Sequence, residues 1–302
     1  MFGELRMTTP YDNKFFDRQS EPSLKSARII VPLLKKRMTV DSVCDVGCGT
    51  GAWLSAWRQE GVKETIGIDG EYVDRSQLRV PSDCFIPHDL SSEEELLSDL
   101  VKERKFSLAT CVEVAEHLPE RRATSFAYEL SLLSDTILFS AAVPGQGGEN
   151  HVNEQWQSYW VTKFNNLGFG ADDFLRDEIW DDSRVRYWYR QNLLLFRRGA
   201  NNTRPASSFD VIHPTNWDRK RTSFERKIER LREGSTERPF DEGLENSPMT
   251  TWRGTTSAEQ ALRKAERRCK VLENEKKQIL SSTSWKITAP LRSASRILMR
   301  KS

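Results

Sequence analysis

Short apolar runs alternate with helix-length segments over the first 200 residues of the chain. They predict strands at residues 42–46, 64–69, 84–87, 106–112, 136–142 and 191–198. Residues 22–37 and 91–101 show the apolar spacing and the capping residues of helices. Because strands separated by helices are typical of βαβ units, this part of the chain predicts an α/β domain with a doubly wound, mostly parallel sheet.

The pattern changes beyond residue 200. Residues 201–256 are polar and rich in turn-forming residues, which predicts a largely irregular linker with one short amphipathic piece around Phe224 and Ile228. Apolar positions then recur in steps of four and three from Ala258 to Ile279, which predicts a coiled coil that joins copies of the chain in a homo-oligomer through residues 258–280. A single amphipathic helix packed on the body is the alternative. The predicted regions are a domain at 1–200, a linker at 201–256, and a heptad helix with a basic amphipathic tail at 257–302.

Charge is unevenly distributed along the chain. Residues 1–200 contain 24 Lys and Arg residues against 31 Asp and Glu, whereas residues 251–302 contain 13 against 4. The net charge of +2 therefore hides an acidic body and a basic tail. Such a tail suits an anionic partner, which is a membrane surface, an acidic protein or a nucleic acid.

Composition excludes several classes of protein. Charged residues make up 30% of the chain, and no apolar run reaches the roughly 18 residues that a membrane-spanning helix requires. The first residues lack the apolar stretch of a secretory signal, and the five cysteines form no CxxC pair. We therefore expect a cytoplasmic protein without a disulfide framework or a structural zinc site.

The first predicted strand runs into the sequence DVGCGTG, residues 45–51. Gly47, Gly49 and Gly51 let a ligand approach the backbone, and the next helix begins with free N–H groups. Asp69 closes the second predicted strand, where a carboxylate accepts hydrogen bonds from ribose hydroxyls in doubly wound sheets. Asp45 disfavours the pyrophosphate of a dinucleotide and favours the cationic sulfonium and ammonium groups of S-adenosylmethionine.

In these residues the sequence resembles the class I S-adenosylmethionine-dependent methyltransferases. Their first motif is similar to DVGCGTG, their ribose-binding acid corresponds to Asp69, and their adenine-side acid corresponds to Asp89 in PHDLS. Asp89 is also consistent with an ordinary helix cap. The resemblance implies a Rossmann-like sheet of seven strands, S-adenosylmethionine as cofactor and methyl transfer as the activity. The expected cofactor-binding residues are Asp45, Gly47, Gly49, Gly51, Asp69 and Asp89.

Acidic and histidine side chains follow the fourth predicted strand in CVEVAEHLPE. We expect them at the carboxyl edge of the sheet, where ligands of open α/β sheets bind. The E-x-x-E-H run resembles a subset of methyltransferases that includes ubiquinone-pathway O-methyltransferases and the ribose O-methyltransferases of small-RNA ends. One implied arrangement is a divalent metal ion held by Glu113, Glu116, His117 and His151. The other is catalysis by His117, His151 and Glu116 without a metal, with a histidine as general base.

The segment after the fifth predicted strand combines three glycines at 145–148, a set of aromatic residues, and polar side chains suited to ligand contacts, which are His151, Asn153, Glu154 and Gln155. Trp156 and Tyr159 offer flat apolar surfaces that suit a sugar, whereas Trp160 and Phe164 fall at helical spacing and are expected in the core. Residues 184–190 alternate basic and aromatic types. They are either a half-buried strand edge or part of an acceptor site for an anionic glycan.

The last residues, from Ser284 onward, contain five cations and no acid, which suits the interface of an anionic membrane. The string SWKITAPLR after a heptad region is similar to the tails of bacterial surface-polysaccharide enzymes. The resemblance implies recruitment to a membrane-associated glycan assembly at the inner face of the membrane.

The expected function is therefore O-methylation of a sugar hydroxyl in surface polysaccharide biosynthesis, with a small molecule or a glycan as acceptor. One alternative is an RNA ribose O-methyltransferase that binds RNA through its basic tail, although nucleic acid is the less favoured partner. The other is a non-catalytic adaptor that acts through the heptad helix.

Overall fold

The structure is a computed structural model that describes residues 13–200 and 204–236. The chain divides after His213 into two compact units. The first unit contains the sheet domain, and the described part of the second is a single helix.

The first unit is built on one sheet of seven short strands. In chain order they are β1 (Ser42–Val46), β2 (Glu64–Asp69), β3 (Phe85–Pro87), β4 (Leu108–Val112), β5 (Thr136–Ser140), β6 (Phe169–Asp172) and β7 (Leu194–Arg198). Their order across the sheet is β3-β2-β1-β4-β5-β7-β6. β7 runs antiparallel to both of its neighbours, and the other pairs are parallel. The predicted seven-stranded, mostly parallel sheet of the class I methyltransferase type is confirmed.

Helices complete the described part of the chain. They are α1 (Asn13–Lys35), α2 (Ala52–Gln59), α3 (Leu97–Leu100), α4 (Ala123–Leu133), α5 (Gln157–Asn166), α6 (Phe174–Ile179), α7 (Tyr187–Asn192) and α8 (Pro214–Thr236). Residues of α1, α2, α6 and α7 join one hydrophobic cluster, and residues of α3, α4 and α5 join a second. Within the described ranges, no helix combines the length and the apolar character needed to cross a bilayer.

Aromatic packing anchors α5 to the sheet. The ring centroid of Phe139, on β5, lies 5.0 Å from that of Trp160 and 5.3 Å from that of Phe164. All three side chains are buried, so the prediction that Trp160 and Phe164 belong to the core is confirmed.

The sheet brings three separate chain segments to one edge. β1 lies between β2 and β4 and is parallel to both, so the carboxyl ends of all three strands meet there. The glycine loop follows β1, Asp69 closes β2, and Glu113 follows β4. This is the edge at which open α/β sheets bind ligands.

The sheet domain ends later than predicted. Phe209 is buried in the core, and the Asp210 carboxylate accepts a hydrogen bond from the Ser158 backbone N–H at 2.7 Å. The His213 backbone N–H donates to Gln191 Oε1 at 2.9 Å. The boundary therefore lies at His213 rather than at residue 200. The prediction placed it too early because residues 201–213 are mostly polar and turn-forming, although Phe209 among them is buried in the core.

Within the predicted linker at 201–256, residues 214–236 form α8 rather than irregular structure, and residues 237–256 lie outside the described residues. Charged residues stabilise this helix locally: Arg221 pairs with Asp218 and Glu225 at helical spacing. The heptad helix at 258–280 and the basic tail lie outside the described residues.

Two predicted elements differ in extent. The helix expected at 91–101 is reduced to α3, because the Ser92 hydroxyl accepts the Glu94 N–H and keeps this stretch in turns. The strand expected at 191–198 begins only at Leu194, and residues 187–192 form α7 instead. β6 has no counterpart among the predicted strands.

Candidate active site

The glycine loop turns sharply between β1 and α2. Gly47, Gly49 and Gly51 all have positive φ, at 78°, 53° and 80°. The Gly47 N–H donates to the Ile68 carbonyl at 2.8 Å, and the Gly49 N–H donates to Asp69 Oδ2 at 2.6 Å. The loop is therefore tied to the end of β2 by its backbone.

Gly47 has no room for a side chain. A Cβ atom there would lie 2.2 Å from Cγ2 of Val114, whereas a Cβ on Gly61, which has a φ of 90°, would meet no atom within 4 Å. We expect Gly47→Ala to lower the free energy of unfolding by about 2–5 kcal/mol, from backbone strain plus the steric clash. Gly61→Ala, which has only the backbone strain, should cost about 1–2 kcal/mol. Urea unfolding of both variants checks this, and equal losses would contradict it.

Asp45 lies at the end of β1 and is almost completely buried. The Thr110 hydroxyl donates to its Oδ1 at 2.5 Å, and its Oδ2 has no well-formed hydrogen bond to a described residue. Burial raises the pKa of Asp45 to about 7, against the hydrogen bond from Thr110 and together with the nearby charge of Asp69. The carboxylate is thus held in an unfavourable environment at the ligand-binding edge, as is typical of functional residues.

The raised pKa of Asp45 predicts a dependence of stability on pH. Because the folded-state pKa lies above the unfolded value, the stability contributed by the protonated form is complete below about pH 4 and is lost as the pH rises through about 7. We expect the ligand-free Asp45→Asn variant to match the wild type near pH 4 and to melt at a higher temperature at pH 8. Thermal melts across this range check the prediction. A melting temperature of Asp45→Asn that is lower than that of the wild type at pH 8 would contradict the prediction.

Asp69 is buried at the end of β2, and its carboxylate accepts three hydrogen bonds. The donors are the backbone N–H groups of Gly49 at 2.6 Å and Gly70 at 2.7 Å, and the Tyr72 hydroxyl at 2.6 Å. Burial raises the pKa of Asp69, against these three hydrogen bonds. Sequence reasoning missed Tyr72, which orients the predicted ribose-binding acid. Its only sequence signal is a phenol three residues after an acid.

Asp89 is exposed in a turn after β3. One of its oxygens accepts hydrogen bonds from the Ser91 backbone N–H at 2.9 Å and the Ser91 hydroxyl at 2.7 Å. This is a local turn cap rather than the start of a long helix. The adenine-side role of Asp89 stays a prediction.

Glu116, His117 and His151 come together after β4. One ligand atom of each lies within 4.8 Å of the other two, which makes them the candidate metal group of the described residues. The rings of His117 and His151 meet edge to face, with centroids 4.9 Å apart. The predicted catalytic trio is therefore assembled from two chain segments, although 34 residues separate its histidines.

Burial shapes the proton affinities of this cluster. Burial, together with the charge of Glu113, raises the pKa of Glu116 well above its usual value. Burial and the neighbouring His151 lower the pKa of His117 to about 4. His117 is thus a neutral imidazole at physiological pH, which is the form that accepts a proton or binds a metal.

The structure differs from the four-ligand prediction at Glu113. Its two carboxylate oxygens accept hydrogen bonds from Gln146 Nε2 and Asn192 Nδ2, each at 3.0 Å, and it lies outside the candidate metal group. Its φ of 58° is a conformation that few residues other than glycine adopt. The Ser140 carbonyl and hydroxyl both accept its N–H, which fixes this strained backbone. Glu113 therefore serves as a neighbouring charge for Glu116.

The basic and aromatic stretch at 184–190 is not a strand edge. Tyr189 and Arg190 are buried, and the Trp53 and Tyr189 rings meet with centroids 5.5 Å apart. Arg184 is exposed and paired with Asp182. Instead, α7 brings Asn192 to Glu113, so the contribution of this segment to the site is an amide that sequence reasoning missed.

The strand order, the glycine loop after β1 and the acid after β2 together define a class I methyltransferase domain, a class whose cofactor is S-adenosylmethionine. Residues 16–160 match a family model described as a methyltransferase domain. The sheet domain therefore has the class I methyltransferase fold, and it includes the residues that match this family model. A comparison with curated protein sequences finds no match.

Several solved structures are similar in fold. The methyltransferase domain of bacterial CtHen1 is 20% identical, with a TM-score of 0.43 over 59% of this chain and 100% of that one. The magnesium protoporphyrin IX methyltransferase of Synechocystis PCC 6803 with bound SAH is 14% identical, with a TM-score of 0.41 over 62% and 89%. An O-methyltransferase family protein from Burkholderia thailandensis is 13% identical, with a TM-score of 0.44 over 63% and 59%.

Proposed function

We propose that this methyltransferase transfers a methyl group to a sugar hydroxyl. The observation that carries the proposal is the cluster of Glu116, His117 and His151 at the ligand-binding edge of the sheet. Val114 occupies the space where a Cβ of Gly47 would lie, so the segment leading to the cluster packs directly on the glycine loop. A hydroxyl acceptor needs a group that removes its proton, and imidazoles beside a carboxylate are suited to that task.

The residues around the glycine loop fit S-adenosylmethionine. When bound, this cofactor supplies an electrophilic methyl group on a cationic sulfonium. Two buried carboxylates, Asp45 and Asp69, lie at this edge, and one oxygen of Asp45 has no well-formed hydrogen bond to a described residue. Such an acidic edge favours a cation and opposes the pyrophosphate of a dinucleotide.

The two histidines are the candidate acceptors for the proton of the sugar hydroxyl. A ring nitrogen of His117 or His151 would take up the proton that the acceptor hydroxyl loses when its oxygen bonds to the methyl carbon and the carbon–sulfur bond of the cofactor breaks. The resulting imidazolium would lie beside Glu116, and its positive charge would favour the ionised carboxylate against the effect of burial, so that the two charges stabilise each other. Each of the three predicted catalytic residues thus has a defined task.

The same three residues fit a divalent metal ion. Both oxygens of Glu116 are buried without a well-formed hydrogen bond to a described residue. One carboxylate and two imidazoles suit a first-row metal ion, which would lower the pKa of an acceptor hydroxyl. Glu116, His117 and His151 would hold it.

Two observations favour a sugar over RNA as the acceptor. Trp156 and Tyr159 are only half-buried at the start of α5, so flat apolar surfaces suited to sugar rings remain accessible after His151. Residues 1–200 carry 31 acidic against 24 basic side chains, which disfavours a polyanion. The similarity of the basic tail to those of surface-polysaccharide enzymes supports a role in that biosynthesis, with the tail as the contact to a membrane or a glycan assembly.

Methyl transfer by the full-length protein tests the proposal. Methyl-labelled S-adenosylmethionine is incubated with a panel of nucleotide sugars and oligosaccharides, with a short RNA as the comparison acceptor. We expect label in a sugar, in an ether that survives alkali. A parallel series after dialysis against a chelator, with Mg²⁺ or Mn²⁺ restored, decides whether a metal participates.

The outcomes separate the alternatives. Label in the ribose of RNA would favour the RNA methyltransferase. Labelled nitrogen or carboxylate groups would contradict O-methylation, and bound cofactor without transfer to any acceptor would favour the adaptor.

A further inference from the structure

Glu154 organises the loop that carries His151. Its Oε2 accepts a hydrogen bond from the Gly145 N–H at 2.7 Å, and its Oε1 accepts one from the Gly147 N–H at 2.6 Å. The same Oε1 lies 2.9 Å from Nδ1 of His151. The His151 and Glu154 side chains are only 12% and 19% exposed, so this contact is shielded from water. One carboxylate thus joins two backbone groups and one candidate catalytic ring.

The loop is held against the cluster from its other side as well. The Val152 and Asn153 N–H groups donate to the Glu116 carbonyl at 2.9 and 3.0 Å. Gly148 packs directly on the His151 ring, since a Cβ there would lie 2.2 Å from Nε2. His151 is therefore confined between Glu154 on one nitrogen and the Gly148 backbone beside the other.

The contact with Glu154 determines which ring nitrogen carries the proton. An ionised carboxylate only accepts hydrogen bonds, so Nδ1 of His151 must be the donor. In a neutral imidazole, a proton on Nδ1 leaves the lone pair on Nε2. The same nitrogen then receives a proton or binds a metal ion.

We propose that Glu154 is a positioning residue that fixes His151 as the Nδ1–H tautomer and thereby presents Nε2 to the acceptor or to a metal ion. The use of Nε2 rests on the proposed function, whereas the tautomer itself does not. A carboxylate behind a histidine serves in both roles, because it orients the ring and raises the basicity of the other nitrogen.

Nitrogen NMR of the full-length protein, labelled with ¹⁵N in histidine, tests the tautomer directly. Spectra are recorded at about pH 8.5, well above the usual histidine pKa of roughly 6.5. The chain contains four histidines, and loss of signals in His151→Gln identifies those of His151. We expect the wild-type ring to show a protonated Nδ1 and an unprotonated Nε2.

Three variants give the matched comparisons. Glu154→Ala removes the acceptor, so the proton should move to Nε2, the position that an unconstrained imidazole prefers. Glu154→Gln keeps an acceptor oxygen without the charge and should retain the wild-type tautomer. Glu149→Ala removes an exposed glutamate from the same loop and should leave the tautomer unchanged.

A wild-type His151 protonated at Nε2 would overturn the proposal, and so would a Glu154→Ala ring that stays protonated at Nδ1. The wild-type spectrum decides even if Glu154→Ala fails to fold. Because these spectra require no acceptor, failure of O-methyl transfer leaves them unaffected, and the two failures are distinguishable. Once an acceptor has been identified, Glu154→Ala should lower the kcat of methyl transfer about 10–100-fold and leave the Kd for S-adenosylmethionine unchanged.

Discussion

Replacing His117 by glutamine is expected to lower the turnover number by about 10²–10⁴-fold, the usual contribution of a general base. His117 lies in the cluster with Glu116 and His151, on the segment that follows β4. Glutamine preserves polarity and approximate size but cannot take up the acceptor proton. The measurement is the initial rate of methyl transfer at saturating S-adenosylmethionine.

The Kd for S-adenosylmethionine provides the control within the same variant. The cofactor is expected on the glycine loop and Asp69, so His117→Gln should bind it as the wild type does. A variant with wild-type turnover would exclude His117 from proton transfer and from metal binding. A variant that loses cofactor affinity as well would show that His117 supports the fold of the site instead.

Replacing Asp69 by asparagine is expected to weaken binding of S-adenosylmethionine by roughly 10–100-fold. This range corresponds to the loss of one or two hydrogen bonds to a charged acceptor. Asparagine nearly preserves the shape of the side chain, but its NH₂ group is a donor and cannot accept a hydrogen bond. This group would face at least one of the three present donors, which are the N–H groups of Gly49 and Gly70 and the Tyr72 hydroxyl. Calorimetric titration measures the effect.

Asp74→Asn is the matched control for Asp69→Asn. Asp74 follows β2 by five residues and caps a local turn through the Ser76 N–H at 2.9 Å. This variant removes the same charge at a position outside the glycine loop, so its Kd for S-adenosylmethionine should equal that of the wild type. Equal weakening in both variants would indicate a general electrostatic effect rather than a specific contact of Asp69.

Local sequence was sufficient to predict those elements whose own residues mark where they begin and end. β1, the glycine loop and β2 follow one another within 28 residues, and their apolar runs, glycines and terminal acids mark each element. The burial of Trp160 and Phe164 followed from helical spacing alone. These parts of the fold and the cofactor edge were therefore predictable.

The missed elements depend on contacts that are distant in sequence. β6 has the sequence FGAD, in which the three residues after Phe169 are poor strand formers. Its Gly170 is needed because a Cβ would lie 2.5 Å from the Ala200 carbonyl. α7 was not predicted, because the aromatic residues at 187–189 favour strands and the predicted strand at 191–198 includes the end of this helix. Its position is fixed instead by Asn192, whose amide reaches Glu113 across 79 residues of chain.

In the candidate site, too, some residues were predictable from local sequence and others depend on contacts formed only in the folded chain. The E-x-x-E-H run indicated Glu116 and His117, but spacing could not reveal that Glu113 turns toward two amides. The sequence indicated Glu154 only as one of several polar contacts for a sugar, and not as a partner of His151. Its role follows from the folded loop, in which it accepts hydrogen bonds from Gly145 and Gly147.

The most direct test of the central claim is calorimetric titration of the full-length wild-type protein with S-adenosylmethionine, beside an identical titration with NAD. The acidic edge formed by Asp45 and Asp69 predicts saturable binding of S-adenosylmethionine at one site per chain and no binding of NAD. Binding of NAD without binding of S-adenosylmethionine would contradict the assignment of this edge as a methyltransferase cofactor site.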